Sequence, residues 1–235
     1  MGFTEVWRRW WRRRNPEAQR PLEAIPFTVL DTELTGLDDR KDDIVSIGAL
    51  RMRGGRIALG DTFQTLVKPA ATLDGRTVVV HRITPSQLEE LPTIDGVLGS
   101  FLEYLGESIL VGHCIAIDLA FLNRDAKRLR GAPLANRAVD TLALYGWLRR
   151  RAAEHPAFAL EATAPSLFDL AQAFEIPVEA AHTAIGDAYV TAQVLQRLLP
   201  FLAQAGIQDQ AGLCRAGHPD RQVANLTGGE GHSHF

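Results

Sequence analysis

Asp31-Thr32-Glu33-Leu34-Thr35-Gly36-Leu37 follows an apolar run from Ile25 to Leu30 and places two carboxylates one residue apart at its end. In an extended strand alternate side chains share a face, so Asp31 and Glu33 project into one small volume. Two anions held that closely repel each other. A divalent cation or protonation of one partner relieves the repulsion, and the first outcome makes this a hard-oxygen Mg²⁺ or Mn²⁺ site. Taken alone, the pattern reads more simply as a strand ending in a solvated acidic turn, so the rest of the chain decides.

With 235 residues, 46% of them apolar, the chain is long enough for one sizeable core. It reads as a basic, Trp-rich arm over 1–24, a folded domain over 25–205 and a polar, flexible tail over 206–235. The 25 basic and 28 acidic residues give a formal charge of −3, so any attraction for nucleic acid must be local or carried by metal. Cys114 and Cys214 lie far apart with no CxxC pairing, which argues against a disulfide framework or structural zinc and fits a reducing cytoplasm. No apolar stretch approaches the roughly 20 residues of a membrane span, so no transmembrane segment is expected.

The arm interleaves Trp7, Trp10 and Trp11 with Arg8, Arg9, Arg12, Arg13, Arg14 and Arg20. In a helix, Phe3, Trp7, Trp10 and Trp11 form one face flanked by arginines. The segment lacks the apolar h-region and cleavage site of a signal peptide. A self-docked or disordered tail competes with three functional readings of residues 1–20: a membrane-surface anchor, a helix docking on a protein partner and a nucleic-acid arm. The membrane reading would put the protein at the periphery of a membrane.

From Ile25 the elements read as α/β. Strands are expected at Pro26 to Leu30, Ile44 to Met52 and Arg56 to Val67, joined as an antiparallel meander with Gly54-Gly55 at the second turn. Val78 to Val80 follows, and Thr84-Pro85-Ser86-Gln87 has the form of a helix start. Helices are expected from Ile94 to Leu105, Ala116 to Arg130, Thr141 to about Arg150 and Thr183 to Leu199, with strands at Ser108 to Val111 and Ala138-Val139. Asp140 and the Ser166/Asp169 pair act as caps. Residues 151–164 read as a loop, and the chain frays after about Gly206.

Two further acidic stretches stand out. In Gly112-His113-Cys114-Ile115-Ala116-Ile117-Asp118, a short apolar strand delivers Asp118 to the first turn of a helix; a helix-stabilising Asp is the simpler reading. In His182-Thr183-Ala184-Ile185-Gly186-Asp187, the imidazole precedes the last long helix and the carboxylate lies inside it.

Together the three stretches resemble the DEDDh group of 3′-5′ exonucleases, which includes the epsilon proofreading subunit of bacterial DNA polymerase III and oligoribonuclease. Asp31 and Glu33 match the first motif, Asp118 the second, His182 and Asp187 the third; His81-Arg82-Ile83-Thr84 and Val139-Asp140-Thr141-Leu142 match weaker ones. The likeness spans about residues 25–200. Arg82 stands where the family usually has Gly, and Cys114 where it usually has Asn. The resemblance implies a ribonuclease H-like mixed five-stranded sheet with flanking helices, and a metal-dependent 3′-5′ exonuclease acting on single-stranded DNA in replication or repair.

It further implies two Mg²⁺ or Mn²⁺ ions, with Asp31 bridging both, Glu33 and Asp187 on the ion beside the attacking water, Asp118 supporting the second, and His182 as general base. A pair of ions about 3.5–4 Å apart suits phosphodiester hydrolysis because attacking and leaving oxygens both gain negative charge. Leu34, Thr35 and Gly36 would form the wedge against the terminal base, with His113 and Cys114 beside it as substrate-binding residues. The alternatives are oligoribonuclease-type action on short RNA and a non-catalytic nucleic-acid or partner-binding module; five filled catalytic positions favour the enzyme. Only 48 residues follow Asp187, so a stand-alone exonuclease is expected rather than a replicase subunit.

Overall fold

The first strand, β1 (Pro26–Leu34), is buried on both faces: Phe27 and Val29 point one way, Thr28 and Leu30 the other, and all four are shielded from solvent. Such a strand must be covered on both sides, which makes it the centre of a layered fold. The structure is a computed structural model and describes residues 16–70, 90–151, 155–159, 164–178 and 182–219. The readings for residues 1–15, Val78 to Val80, the motif His81 to Thr84, the helix start at Thr84 and the tail from residue 220 lie outside them.

β1 pairs antiparallel with β2 (Ile44–Arg53), and β2 pairs antiparallel with β3 (Arg56–Leu66) across the Gly54-Gly55 turn. On its other side β1 runs parallel to β4 (Ile109–Gly112), which runs parallel to β5 (Ala138–Asp140). The sheet is mixed and five-stranded, in the order β3-β2-β1-β4-β5. Its helices are α1 (Ile94–Leu105), α2 (Ala116–Arg130), α3 (Thr141–Arg149), α4 (Leu167–Ala173), α5 (Ala184–Gln204) and α6 (Gln210–Ala216).

Strand alternation sorts the core into two halves. Phe27, Val29, Leu50, Met52 and Val111 meet α3, α4 and α5 through Leu144, Leu170, Val194 and Leu198. Leu30, Ile47, Ala49 and Leu110 meet α1 and α2 through Leu98, Phe101, Phe121 and Leu122. This ribonuclease H-like arrangement of flanking helices is the expected fold class. Among the described residues no helix is long and apolar enough to cross a membrane.

Three boundaries differ from the sequence reading. β1 runs on to Leu34 because its ladder with β2 continues to Leu34↔Ile44, past a register irregularity after Glu33. The last long helix passes through Pro200 to Gln204, held by fully buried Leu202. Beyond Gly206 the chain does not fray at once. Asp209 accepts from the Gly212 amide at 2.8 Å and caps α6, whose Leu213 is fully buried. Residues 16–24 reach this segment too: Pro21 bridges Asp209, and Ala18 and Leu22 are buried.

Candidate active site

Asp31 and Glu33 sit at the end of β1 on the face that packs against α5. Opposite Asp31 in the β1–β2 ladder is Gly48, and the first residues of α5 rest on it: a Cβ there would overlap the backbone of Ala184 and Ile185. Thr183 starts the helix by accepting from the Gly186 amide at 3.2 Å, and Asp187 follows in the first turn. This close approach brings carboxylate oxygens of Asp31, Glu33 and Asp187 within 4.8 Å of one another.

Asp118 arrives from the other layer, in the first turn of α2. Its Oδ1 accepts both the amide of Thr32 at 2.9 Å and the Thr32 hydroxyl at 2.6 Å. Among the described residues the group meeting within 4.8 Å is Asp31, Glu33 and Asp187, without Asp118. Asp118 nevertheless acts on Asp31 as a neighbouring negative charge.

The electrostatics are those of crowded anions. Asp31 keeps some contact with solvent but is packed by protein; that packing, then Asp118, Asp187 and Glu33, hold its carboxyl well above the ordinary range. Burial also raises Asp118, against the opposing hydrogen bonds from Thr32. Asp187 is pushed up to about 6 by burial and by Glu33. The helix N-termini behind Asp118 and Asp187 favour each anion by only about 0.3–1 kcal/mol, too little to reverse this. Among the described residues the charged neighbours acting on Asp31 are all carboxylates, so the set fits a hard divalent cation.

His182 is exposed at the head of α5. Its amide donates to Asp187 Oδ1 at 3.3 Å, and its ring meets the Phe168 ring edge-on at 5.3 Å between centroids. Its φ of 62° is left-handed, a region His enters more readily than most residues.

His113 and Cys114 lie in the β4–α2 connection. Nδ1 of His113 is 3.0 Å from the Thr141 hydroxyl, and Nε2 is 3.2 Å from the Pro165 carbonyl. Burial pushes its pKa down to about 4, so the ring is neutral near pH 7, and Nε2–H donates to the Pro165 carbonyl, which can only accept. Cys114 is buried with φ 56°, and its thiol is pushed up to about 12 by burial, then by Asp140 and Asp118. Asn tolerates the left-handed region far better than Cys, which gives the family's usual residue a conformational reason.

The loop after β1 is tied to the start of β2. Thr35 Oγ1 donates to Asp42 Oδ1 at 3.2 Å and accepts from the Asp43 amide at 2.9 Å, while the Thr35 amide donates to the Asp43 carbonyl. The Asp42 carboxylate occupies the space beside Gly36 where a Cβ would stand. The Thr35 hydroxyl therefore closes the loop. Leu34 and Gly36 remain partly exposed.

Three supporting residues escape sequence reasoning. Thr32 faces away from Asp31 and Glu33, so alternation alone removes it from their site. Gly48 carries a legible signal, a glycine inside a strand, which marks close backbone approach. Asp140 is read as a cap for α3 and as part of a weaker motif, not as an anchor for α2. It accepts from the Leu142 and Ala143 amides at 2.8 and 3.3 Å and also from Cys114 and Ile115 at 3.4 and 3.0 Å, so one carboxylate anchors two helix starts.

This layered sheet is shared with nucleases of known structure. The sequence model of the RNase T exonuclease family matches residues 28–195. The chain belongs to that exonuclease family, as its resemblance implied. It is 36% identical over 191 residues to the DNA polymerase III subunit epsilon-like protein of Rhodobacter capsulatus, covering 81% of this chain but 26% of the relative. It is 33% identical over 190 residues to the DNA polymerase III subunit epsilon of Aquifex aeolicus, covering 80% of this chain and 88% of that one. Exonuclease I shares the fold with a TM-score of 0.65 at 19% identity, over 77% of this chain and 43% of its own.

Proposed function

We propose that this chain removes nucleotides one at a time from the 3′ end of single-stranded DNA, using two Mg²⁺ or Mn²⁺ ions and His182 as general base. The observation that carries the reading is the convergence of Asp31, Glu33 and Asp187 within 4.8 Å, where the charges that act on Asp31 among the described residues are those of Asp118, Asp187 and Glu33. Asp31, Glu33 and Asp187 would hold one ion, and Asp31 with Asp118 the second. When bound, the ions supply positive charge where the phosphodiester gains negative charge during hydrolysis.

The remaining chemistry falls to side chains. The His182 imidazole, exposed beside Asp187, takes the proton of the water that attacks phosphorus, and the bond to the 3′ oxygen of the preceding nucleotide breaks. Asp187 accepts the His182 amide, a contact that ties the residue carrying the imidazole to the carboxylate cluster. Leu34 and Gly36 border the terminal base. DNA as substrate is supported by exonuclease I, solved with a dT13 oligonucleotide, and by relatives named as a DNA polymerase III subunit epsilon or as epsilon-like.

The test is purified protein with Mg²⁺ or Mn²⁺ on matched DNA and RNA oligonucleotides labelled at the 5′ end. A descending ladder on DNA that stops in excess EDTA, and is absent for Asp187→Ala, is the expected result. A ladder on RNA alone moves the substrate to RNA, and activity untouched by EDTA overturns the metal.

A further inference from the structure

Arg124, on the second turn of α2 beyond Asp118, makes its hydrogen bonds in two directions. Toward its own helix, Nε and Nη2 form a fork on Asp125, at 3.3 Å to Oδ1 and 3.0 Å to Oδ2. Asp125 is 2% exposed and also accepts from Arg128, which pairs with Asp95 of α1. The plane of the guanidinium is thereby fixed from below. Toward the loop after β1, Nη1 donates to the carbonyls of Asp39, at 3.0 Å, and Asp42, while Nη2 reaches Asp43 Oδ1 at 3.2 Å.

Those three acceptors lead to the candidate wedge. Asp43 holds Thr35 at both its amide and its hydroxyl, and Asp42 fills the space beside Gly36. The opposite oxygen of Asp43 accepts from the Ala70 amide at 2.9 Å, so the residue is braced from two sides. A charge pair alone would need only Asp43. The additional bonds to two backbone carbonyls act on the shape of the loop.

We propose that Arg124 is a positioning residue for the substrate: it fixes the Leu34-Thr35-Gly36 edge relative to the helix that carries Asp118, and so sets where the 3′-terminal nucleotide rests against the carboxylates. This rests on the exonuclease reading of the site. Arg124 touches no reacting atom. Lys cannot replace it, because one ammonium cannot form a planar fork on Asp125 while reaching two carbonyls and Asp43.

The experiment compares full-length wild type, Arg124→Lys, Arg124→Ala and Asp43→Asn by steady-state kinetics on a single-stranded oligonucleotide, by Mn²⁺ titration and by amide hydrogen exchange. For both Arg124 variants KM rises about 10-fold or more while kcat stays within about 3-fold, and Lys fails to rescue. Mn²⁺ affinity is unchanged, and exchange accelerates at the Thr35 and Asp38 amides but not along β1. Asp43→Asn shifts KM in the same direction by less and covers the case in which the Arg124 variants fail to fold. An unchanged KM in folded protein overturns the proposal, as does unchanged exchange at Thr35 and Asp38. A wild type inert on every oligonucleotide overturns the exonuclease reading instead, and the exchange result still decides whether Arg124 holds the loop.

Discussion

Gly48 stands opposite Asp31 in the β1–β2 ladder, and the space its missing side chain leaves is filled by the backbone of Ala184 and Ile185. The contact sets the height of α5 above the sheet. Because Asp187 sits one turn along that helix, the same contact decides whether its carboxylate reaches Asp31 and Glu33. A residue with no functional group thus fixes the geometry of three that have one.

Gly48→Ala should therefore lift the start of α5 while leaving every carboxylate in the sequence. Overpacking of this kind costs about 1–3 kcal/mol, seen as a lower Tm. Displacing a catalytic group by about 1 Å costs on the order of 10²-fold in turnover, with Mn²⁺ binding weakened in parallel. Turnover and metal affinity equal to wild type in the folded variant would show that the contact does not position Asp187.

Much of this arrangement is legible in the sequence, for identifiable reasons. Ala116–Arg130 is legible because helical apolar periodicity ends at Gly131, which has positive φ in the structure, and the helix expected from about Ile94 to Leu105 lies where its apolar pattern places it. Asp31 and Glu33 are paired by strand alternation. The approach of Asp187 is not readable from spacing, since 154 positions separate it from Glu33 and the packing of α5 on the sheet, close at Gly48, brings them together. The position of Asp118 outside the tight group is equally hidden, because it depends on a hydrogen bond to a residue on the opposite face of β1. Helix α6 is obscured by polar, Gly-containing composition, although Asp209 three residues before Gly212 is a capping signal.

The carboxylate cluster predicts an unusual pH dependence for the metal-free protein. Asp31, Asp118 and Asp187 all bind protons more tightly folded than unfolded, so the folded state loses stability as pH rises. The loss begins near the ordinary carboxylate value of about 4 and runs through about 6 for Asp187 and about 7 for Asp118. Asp140, raised to about 6 by burial, adds to the same slope. In EDTA, Tm should fall between pH 4 and 8, and saturating Mn²⁺ should restore it most at pH 8. Asp31→Asn should flatten the slope and stabilise the EDTA form at pH 8 by on the order of 1 kcal/mol. A Tm that rises with pH in EDTA contradicts the raised carboxylates.

Thr32 offers a sharper test of Asp118. Thr32→Val keeps the shape and the 2.9 Å amide bond but removes the 2.6 Å hydroxyl bond to Asp118 Oδ1. Losing a hydrogen bond to a charged acceptor costs about 1.5–3 kcal/mol, and the carboxylate it oriented is free to turn. Turnover should drop by about 10-fold, with restored activity at higher Mn²⁺, because the lost element is orientation of a ligand rather than the ligand itself. Titrating Mn²⁺ against turnover separates this from simple instability, which added metal would not repair in the same proportion.

His182 can be tested without disturbing its backbone. Asn enters the left-handed region readily, so His182→Asn should keep the φ of 62° and the amide bond to Asp187 while removing the imidazole. Loss of a general base lowers turnover by about 10² to 10⁴. Because no metal ligand is removed, Mn²⁺ affinity and Tm should match wild type, and KM should change little. If turnover survives the substitution, His182 serves only to start α5, and the proton of the attacking water must be taken by another group.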